Sequence, residues 1–326
     1  MRPRIFITQP VATSAVDRLR AVADVSINPD SLHIVSKEEL IVAVQAADVL
    51  FCLLHDRVDR DVIAAGARLR AIASMKITPS DIDVAAATAR RIPVTVIAPI
   101  VTEATADIHF ALLLAVARRV IEGDRLVRQG VFPGAQSAHL LGAWVFGKTI
   151  GLIGGGGRIG RAVAKRAQGF SMRTLYWTPR RKPESEEREA GLTYVPYDQL
   201  LSESDFVSVH APLTTETRHL VGERELRLMK PTAFLINTSR GPIVDEKALV
   251  RALAERRIAG AGLDVFENEP QVDPALLAMQ NVVLTPHLGS AVRELRESMA
   301  NVVVDNILAV LEGRPPPNCW NSEIYK

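Results

Sequence analysis

Short apolar runs alternate with amphipathic stretches along most of the chain. In the first third RIFIT, DVSI, DVLFCL, LRAIAS and PVTVI read as strands, with helix-like segments of about 8–14 residues between several of them. A long helix is predicted over 102–129. A second alternating series follows: TIGLI, RTLYW, DFVSVHA, AFLINT, AGAGLDV and NVVLTP. A last helix is predicted over 290–312, stopped by GRPPPN. The strands are continuous apolar runs rather than strict alternations, the pattern of parallel strands covered on both faces. The expected fold class is therefore α/β, two doubly wound parallel-sheet domains with right-handed crossovers and a boundary near Val101. One core rarely serves more than about 250–300 residues, so 326 residues suit two domains.

Composition narrows the class. The chain is 48% hydrophobic and 23% charged with a net charge of +2, which argues against a general nucleic-acid or membrane binder. Cys52 and Cys319 are too few for a disulfide framework and fit no metal motif, so reduced thiols and no metal site are expected. The start, MRPRIFITQP, lacks the apolar core of a signal peptide, and ATADIHFALLLAVARR is too short and too interrupted to span a bilayer. A cytoplasmic protein with a buried helix at that segment is expected.

The stretch TIGLIGGGGRIGRAVAKRA carries G-x-G-x-x-G at Gly155, Gly157 and Gly160 between a predicted strand and a predicted helix. In that context the glycines serve a tight turn, backbone approach to a pyrophosphate and close helix–strand contact. The helix start supplies N–H groups and a partial positive charge. A dinucleotide is the expected ligand, with a structural glycine turn as the alternative. An acid that would accept from a ribose 2′-OH is expected at the end of the second strand. Thr178 stands there instead, followed by Arg180, Arg181 and Lys182. A hydroxyl with two arginines favours a 2′-phosphate, so NADP(H) is expected over NAD(H), which stays possible. A solvated basic loop is the alternative.

At these residues the chain resembles the D-isomer-specific 2-hydroxyacid dehydrogenase family, especially its glyoxylate/hydroxypyruvate reductase branch. The resemblance rests on TEATADIHFALLLAVARR, GGGGRIGRAVAKRAQGF, SDFVSVHAPLTTETRHLV, LINTSRGPIVDEKALVRAL, AGAGLDVFENEP and LTPHLGSA, in that order. It implies a Rossmann-type nucleotide domain over 101–289. It also implies a discontinuous, flavodoxin-like substrate domain over 1–100 plus 290–326, with an active site in the cleft between the domains. A homodimer built through the nucleotide domains is implied as well.

Reducing a 2-keto acid to a 2-hydroxy acid takes a cation for the carboxylate and ketone, and an acid to protonate the forming alkoxide. Arg240 directly follows the strand AFLIN, and a guanidinium suits a planar carboxylate; bracing a loop is its other reading. His287 ends the last strand, where the residues alone favour a hydrogen-bonded hinge histidine over a proton donor; the resemblance implies the donor. Glu269 could orient the imidazole and favour its charged form, a partnership the resemblance implies. The resemblance further implies coenzyme contacts at Arg158, Ile159, His210, Ala211, Pro212, Thr217, Thr238, Ser239, Asp264, His287 and Gly289. His109 and His219 read as structural, and His139 as part of a loop.

Two departures from the family stand out. The glycine run has one residue more than usual, with Gly154 or a neighbour expected as a bulge. The substrate loop reads KITPSDID, so Lys76, Ile77 and Thr78 are its candidate substrate contacts, and Pro79 removes an N–H donor. Lys76 is either a mobile point charge for an anion or a solvent-facing residue. A phosphite or sugar-acid dehydrogenase of the same family is an alternative reading, as is a dinucleotide-sensing corepressor-like binding protein.

Overall fold

The computed structural model describes residues 2–326. Its contacts divide the chain into two units, one made of residues up to Ile100 together with Val292–Lys326, the other of Val101–Ala291. In chain order the elements are β1 (Arg4–Ile7), α1 (Thr13–Val22), β2 (Asp24–Ile27), α2 (Lys37–Ala46), β3 (Val49–Cys52), α3 (Arg60–Ala65), β4 (Ala71–Ser74), α4 (Val84–Ala89) and β5 (Val94–Thr95). Then come α5 (Thr102–Ala117), α6 (Val120–Arg128), β6 (Thr149–Ile153), α7 (Arg158–Gly169), β7 (Arg173–Trp177), α8 (Glu184–Ala190), β8 (Thr193–Tyr194), α9 (Tyr197–Glu203) and β9 (Phe206–Val209). The rest are α10 (Glu223–Leu228), β10 (Phe234–Asn237), α11 (Glu246–Ala254), β11 (Gly260–Leu263), α12 (Pro274–Ala278), β12 (Val282–Leu284) and α13 (Arg293–Leu311).

Among the described residues the first unit holds a five-stranded sheet in the order β2-β1-β3-β4-β5, every pair parallel. The second holds a seven-stranded parallel sheet in the order β12-β11-β10-β9-β6-β7-β8. The first is flavodoxin-like; the second, read from β8, is the 3-2-1-4-5-6 order of a Rossmann sheet with one further strand. Its switch point lies between β6 and β9, where the chain leaves in opposite directions and opens a crevice at the strand ends.

Burial explains the strands. VLFC, AIAS, FVSV and FLIN are buried at every position, as central strands between helix layers must be, whereas the edge strand DVSI alternates between exposed and half-buried. Local chemistry sets the helix starts. Ser36 and Glu39 form a reciprocal capping box at α2, and Asp59, Asp83, Asp245 and Asp273 cap α3, α4, α11 and α12.

Three elements differ from the sequence expectation. The helix over 102–129 is broken into α5 and α6 at Arg119, which adopts a left-handed φ of 54°. The apolar pattern runs on through the break, but the Ala143 N–H bonds the Ala117 carbonyl at 2.8 Å and takes over the end of α5. The last helix starts at Arg293 because Val292 is extended. The two-residue strand β8 was too short to leave a pattern.

The edge at β5 is closed by the chain's own end. Cys319 bridges Thr95 in antiparallel fashion, and the Trp320 N–H bonds the Val94 carbonyl at 2.8 Å. Asn321, buried, accepts from the Val94 N–H at 2.8 Å and donates to Thr88 Oγ1 at 2.9 Å and to the Ile92 carbonyl at 3.0 Å. Replacing Asn321 with alanine strands those backbone groups, and a loss of about 2–4 kcal/mol is expected in chemical denaturation of the first unit.

Candidate active site

The glycine run forms the turn between β6 and α7. Gly154 has a φ of +81°, and a side chain there would meet the His210–Ala211 backbone at 2.7 Å. Gly154 is thus a turn residue under the neighbouring strand's exit. A Cβ on Gly160 would meet the Gly155 backbone at 2.5 Å, so these glycines press the helix onto the turn. Gly157 differs: the nearest atom to a Cβ there is the Gly154 carbonyl oxygen at 3.4 Å, so protein packing does not require it to be glycine. It precedes α7, which carries Arg158 in its first turn, has no acidic residue there and has no side-chain cap among the described residues. Ile159 is half-buried behind Arg158. This backbone cradle and helix start fit a dinucleotide's pyrophosphate.

The basic loop after β7 is partly spoken for. Arg181 forms a two-point ion pair with Glu187, both contacts at 2.8 Å, and lies over the Tyr194 ring. Glu187 is buried and also accepts from the Tyr176 hydroxyl at 2.6 Å. Thr178 Oγ1 bonds the Arg180 carbonyl at 2.7 Å, which sets the turn and leaves the Arg180 side chain exposed. The Lys182 stem passes over Gly156. So Arg181, though partly exposed, braces the loop, and Arg180 is exposed with no ion pair among the described residues.

At the end of β9, His210 Nε2 lies 2.9 Å from Ser208 Oγ, and its ring packs on His109 of α5 with centroids 5.4 Å apart. Burial pushes His210 down to about 3 and His109 well below its ordinary range, so both rings are neutral near pH 7. Neither ring nitrogen of His109 has a hydrogen-bond partner among the described residues. Ala211 is buried, and Pro212 is exposed. Thr217 Oγ1 donates to the Pro212 carbonyl at 2.6 Å and locks that loop. Thr238, after β10, is buried, and Ser239 Oγ donates to the Ala211 carbonyl at 2.5 Å. Arg240 follows with an exposed side chain whose Nη1 bonds the Ser239 carbonyl at 2.8 Å.

Asp264, 1% exposed at the end of β11, accepts from Thr285 Oγ1 at 2.6 Å, the Leu288 N–H at 2.7 Å and the Gly289 N–H at 2.8 Å. Burial raises its pKa, and these donors oppose the shift. The turn it grips carries His287, itself at a left-handed φ of 55°. His287 Nδ1 stands 2.8 Å from Glu269 Oε2, and Glu269 Oε1 accepts from the Phe266 N–H at 3.0 Å. The structure therefore brings His287, Glu269, Asp264 and Gly289 together in one cluster. Such a dyad can hold an imidazole in one orientation and transfer a proton through Nε2.

In the first unit Lys76 is neither mobile nor solvent-facing. It is 9% exposed, and its ammonium pairs with Asp81, which also accepts from Ser80 Oγ at 3.0 Å. Pro79 is buried, Ile77 half-buried and Thr78 exposed. The loop is folded around an ion pair between the buried Lys76 and the exposed Asp81 that a sequence reading of Lys76 alone missed; the aspartate five residues on was its only signal. Cys52 is buried, its thiol pushed up to about 12 by burial, and so is no candidate nucleophile.

Contact with Arg181 and Tyr176 lowers Glu187 to about 2. A carboxylate depressed on folding stabilises the protein above its unfolded pKa and loses that contribution as pH falls through the folded value. Wild type should therefore be more stable than Glu187→Gln at pH 7, and the gap should close between about pH 4 and pH 2. Thermal melts of the two proteins across that range check the sign.

Comparison with known proteins accords with this geometry. The family model described as D-isomer specific 2-hydroxyacid dehydrogenase, NAD binding domain, matches residues 110–289. The chain is 45% identical to a glyoxylate reductase of Thermococcus litoralis over 99% of its own length and 98% of the relative's. Among solved structures it is similar to the TT0316 protein from Thermus thermophilus, with a TM-score of 0.89 and 43% identity over 97% of this chain and 99% of that one. It is also similar to an NADPH-dependent glyoxylate/hydroxypyruvate reductase from Sinorhizobium meliloti crystallised with citrate, with a TM-score of 0.78 and 31% identity over 98% of both chains. With a Rossmann crevice, a carboxylate–imidazole pair and full-length relatives in agreement, the chain belongs to the D-isomer-specific 2-hydroxyacid dehydrogenase family.

Proposed function

We propose that this chain is a nicotinamide-dependent reductase of small 2-keto acids of the glyoxylate and hydroxypyruvate type, using NADPH in preference to NADH. The observation that carries the reading is the His287–Glu269 pair at 2.8 Å on the turn gripped by Asp264, in the same unit as the uncapped, glycine-built start of α7. The names of the Thermococcus and Sinorhizobium relatives support the substrate class.

Gly155, Gly157, Arg158, Ile159 and Gly160 would hold the pyrophosphate. His210, Ala211, Pro212, Thr217, Thr238, Ser239, Asp264 and Gly289 would border the coenzyme. When bound, the reduced coenzyme supplies the hydride. Arg240 is exposed at a strand end, where its paired donors suit a carboxylate and a polarised ketone oxygen. Glu269 holds Nδ1, so Nε2 of His287 is the atom that gives the proton to the forming alkoxide. The ion-paired Lys76, with Ile77 and Thr78, would contribute to substrate binding as part of a neutralised loop rather than as a bare cation. The exposed Arg180, with Thr178 setting its turn, favours a 2′-phosphate.

A homodimer and a cytoplasmic location belong to the same reading. Support for the dimer comes from exposed apolar side chains in one stretch: Val120, Ile121, Val127, Phe132, Trp144 and Phe146. Among the described residues no helix is long and apolar enough to cross a membrane.

His287→Ala should lower kcat for glyoxylate by about 10²–10⁴-fold while coenzyme affinity, read by fluorescence titration, holds within about threefold. Normal turnover by that variant would end the proton-donor assignment. Arg180→Ala should raise the KM for NADPH by about 10–100-fold and leave NADH unaffected. A wild type that prefers NADH would refute the coenzyme assignment.

A further inference from the structure

Glu267 lies two residues before the proposed histidine partner, and its side chain is turned away from that pair into a junction of three loops. Its Oε1 meets His219 Nε2 at 2.6 Å and Arg218 Nη2 at 3.3 Å, on the loop after β9. Its Oε2 accepts from the Glu246 N–H at 3.2 Å, and its own N–H donates to Glu246 Oε2 at 3.0 Å. Glu246 opens α11, directly after the turn that carries Arg240. That turn rests on the same peptide: a Cβ on Gly241 would sit 1.8 Å from the Phe266 carbonyl oxygen and 2.6 Å from the Glu267 nitrogen. The loops are stitched once more where the His219 N–H bonds the Pro242 carbonyl at 2.9 Å and Val221 bridges Val244. The Glu267 side chain is only 14% exposed, and its two bonds with Glu246 are partly buried, while Arg218 and His219 reach it from the solvent side.

Three observations converge here: a reciprocal pair of backbone-to-carboxylate bonds, a histidine and an arginine on one carboxylate oxygen, and a turn that tolerates only glycine against the adjoining peptide. We propose that Glu267 is a positioning residue that fixes the loop bearing Glu269 relative to the turn bearing Arg240. It touches neither substrate nor coenzyme. It acts by setting the spacing between the group that holds the imidazole and the group that holds the carboxylate, which the reaction requires to within a fraction of an ångström. The role rests on the assignment of Arg240, Glu269 and His287 to keto-acid reduction.

The test compares wild type, Glu267→Gln and His219→Leu as full-length proteins. Glu267→Gln keeps the shape but removes the charge and places an amide NH₂ against existing donors. It should lower kcat for glyoxylate by about 10–100-fold, with coenzyme affinity unchanged within about twofold. Hydrogen exchange at the backbone of 266–269 and 241–246 should accelerate together. His219→Leu, which removes one contact, should shift both readouts in the same direction by less. A Glu267→Gln variant within twofold of wild type in kcat overturns the proposal. So does a kcat loss matched by an equal loss of coenzyme affinity, or exchange that is unchanged. If instead the wild type itself turns over no 2-keto acid offered, the reading of the reaction falls, and the positioning role falls with it.

Discussion

A single buried carboxylate organises the chemistry of the second unit. Asp264 sits at the end of β11 with almost no solvent, which by itself would favour its protonated form. The Thr285 hydroxyl and the N–H groups of Leu288 and Gly289 converge on it and compensate for the lost water. Because the bonds flank His287 on both sides, they hold its backbone in a left-handed conformation that a histidine adopts at a cost. The Gly289 carbonyl in turn accepts from Thr105 on α5, so the turn is tied to the helix that covers the sheet. The direction of the imidazole is therefore decided by the packing of β11, β12 and α5, and Glu269 fixes the ring within that frame.

The other charges follow a related logic. A site for anionic ligands could be built from every cation the loops carry, yet most are already committed. Arg181 is engaged by Glu187, Lys76 by Asp81, and Arg218 with His219 by Glu267. His210 and His109 are held neutral by burial. Arg240 and Arg180 are exposed without a carboxylate partner among the described residues, at the two places where a carboxylate and a ribose phosphate would be read. The committed cations fix loop shape, and under the proposed function the two unpaired ones would supply recognition.

The layout of both sheets was legible because parallel central strands are continuous apolar runs, whereas the pairing of Glu269 with His287 was implied by the family resemblance and not by periodicity. What was hidden depends on contacts across the chain. Nothing within ATADIHFALLLAVARR announces that Ala143 will take the carbonyl of Ala117 and end the helix. Arg180 and Arg181 look equivalent in TPRRK, and only the fold brings Glu187 to one of them. Lys76 reads as a free charge until Asp81 turns back onto it. Periodicity reports which face is buried; it cannot report which partner a charge will meet.

The four glycines show how several constraints can occupy consecutive positions. Gly154 yields to the strand exit at His210–Ala211, Gly155 to the Leu152 and Tyr176 side chains, and Gly156 to the Lys182 stem. Only Gly157 lacks such a neighbour, and it is the residue at the mouth of the helix. There Arg158 occupies the first turn of α7 without an acidic residue beside it. A cation at the positive end of a helix is unfavourable on its own, by about 0.3–1 kcal/mol when exposed. The arrangement becomes favourable once an anion is shared between the guanidinium and the leading N–H groups. The protein thus leaves a small electrostatic deficit at the one glycine of the run that packing does not require, and under the proposed function a diphosphate would remove it.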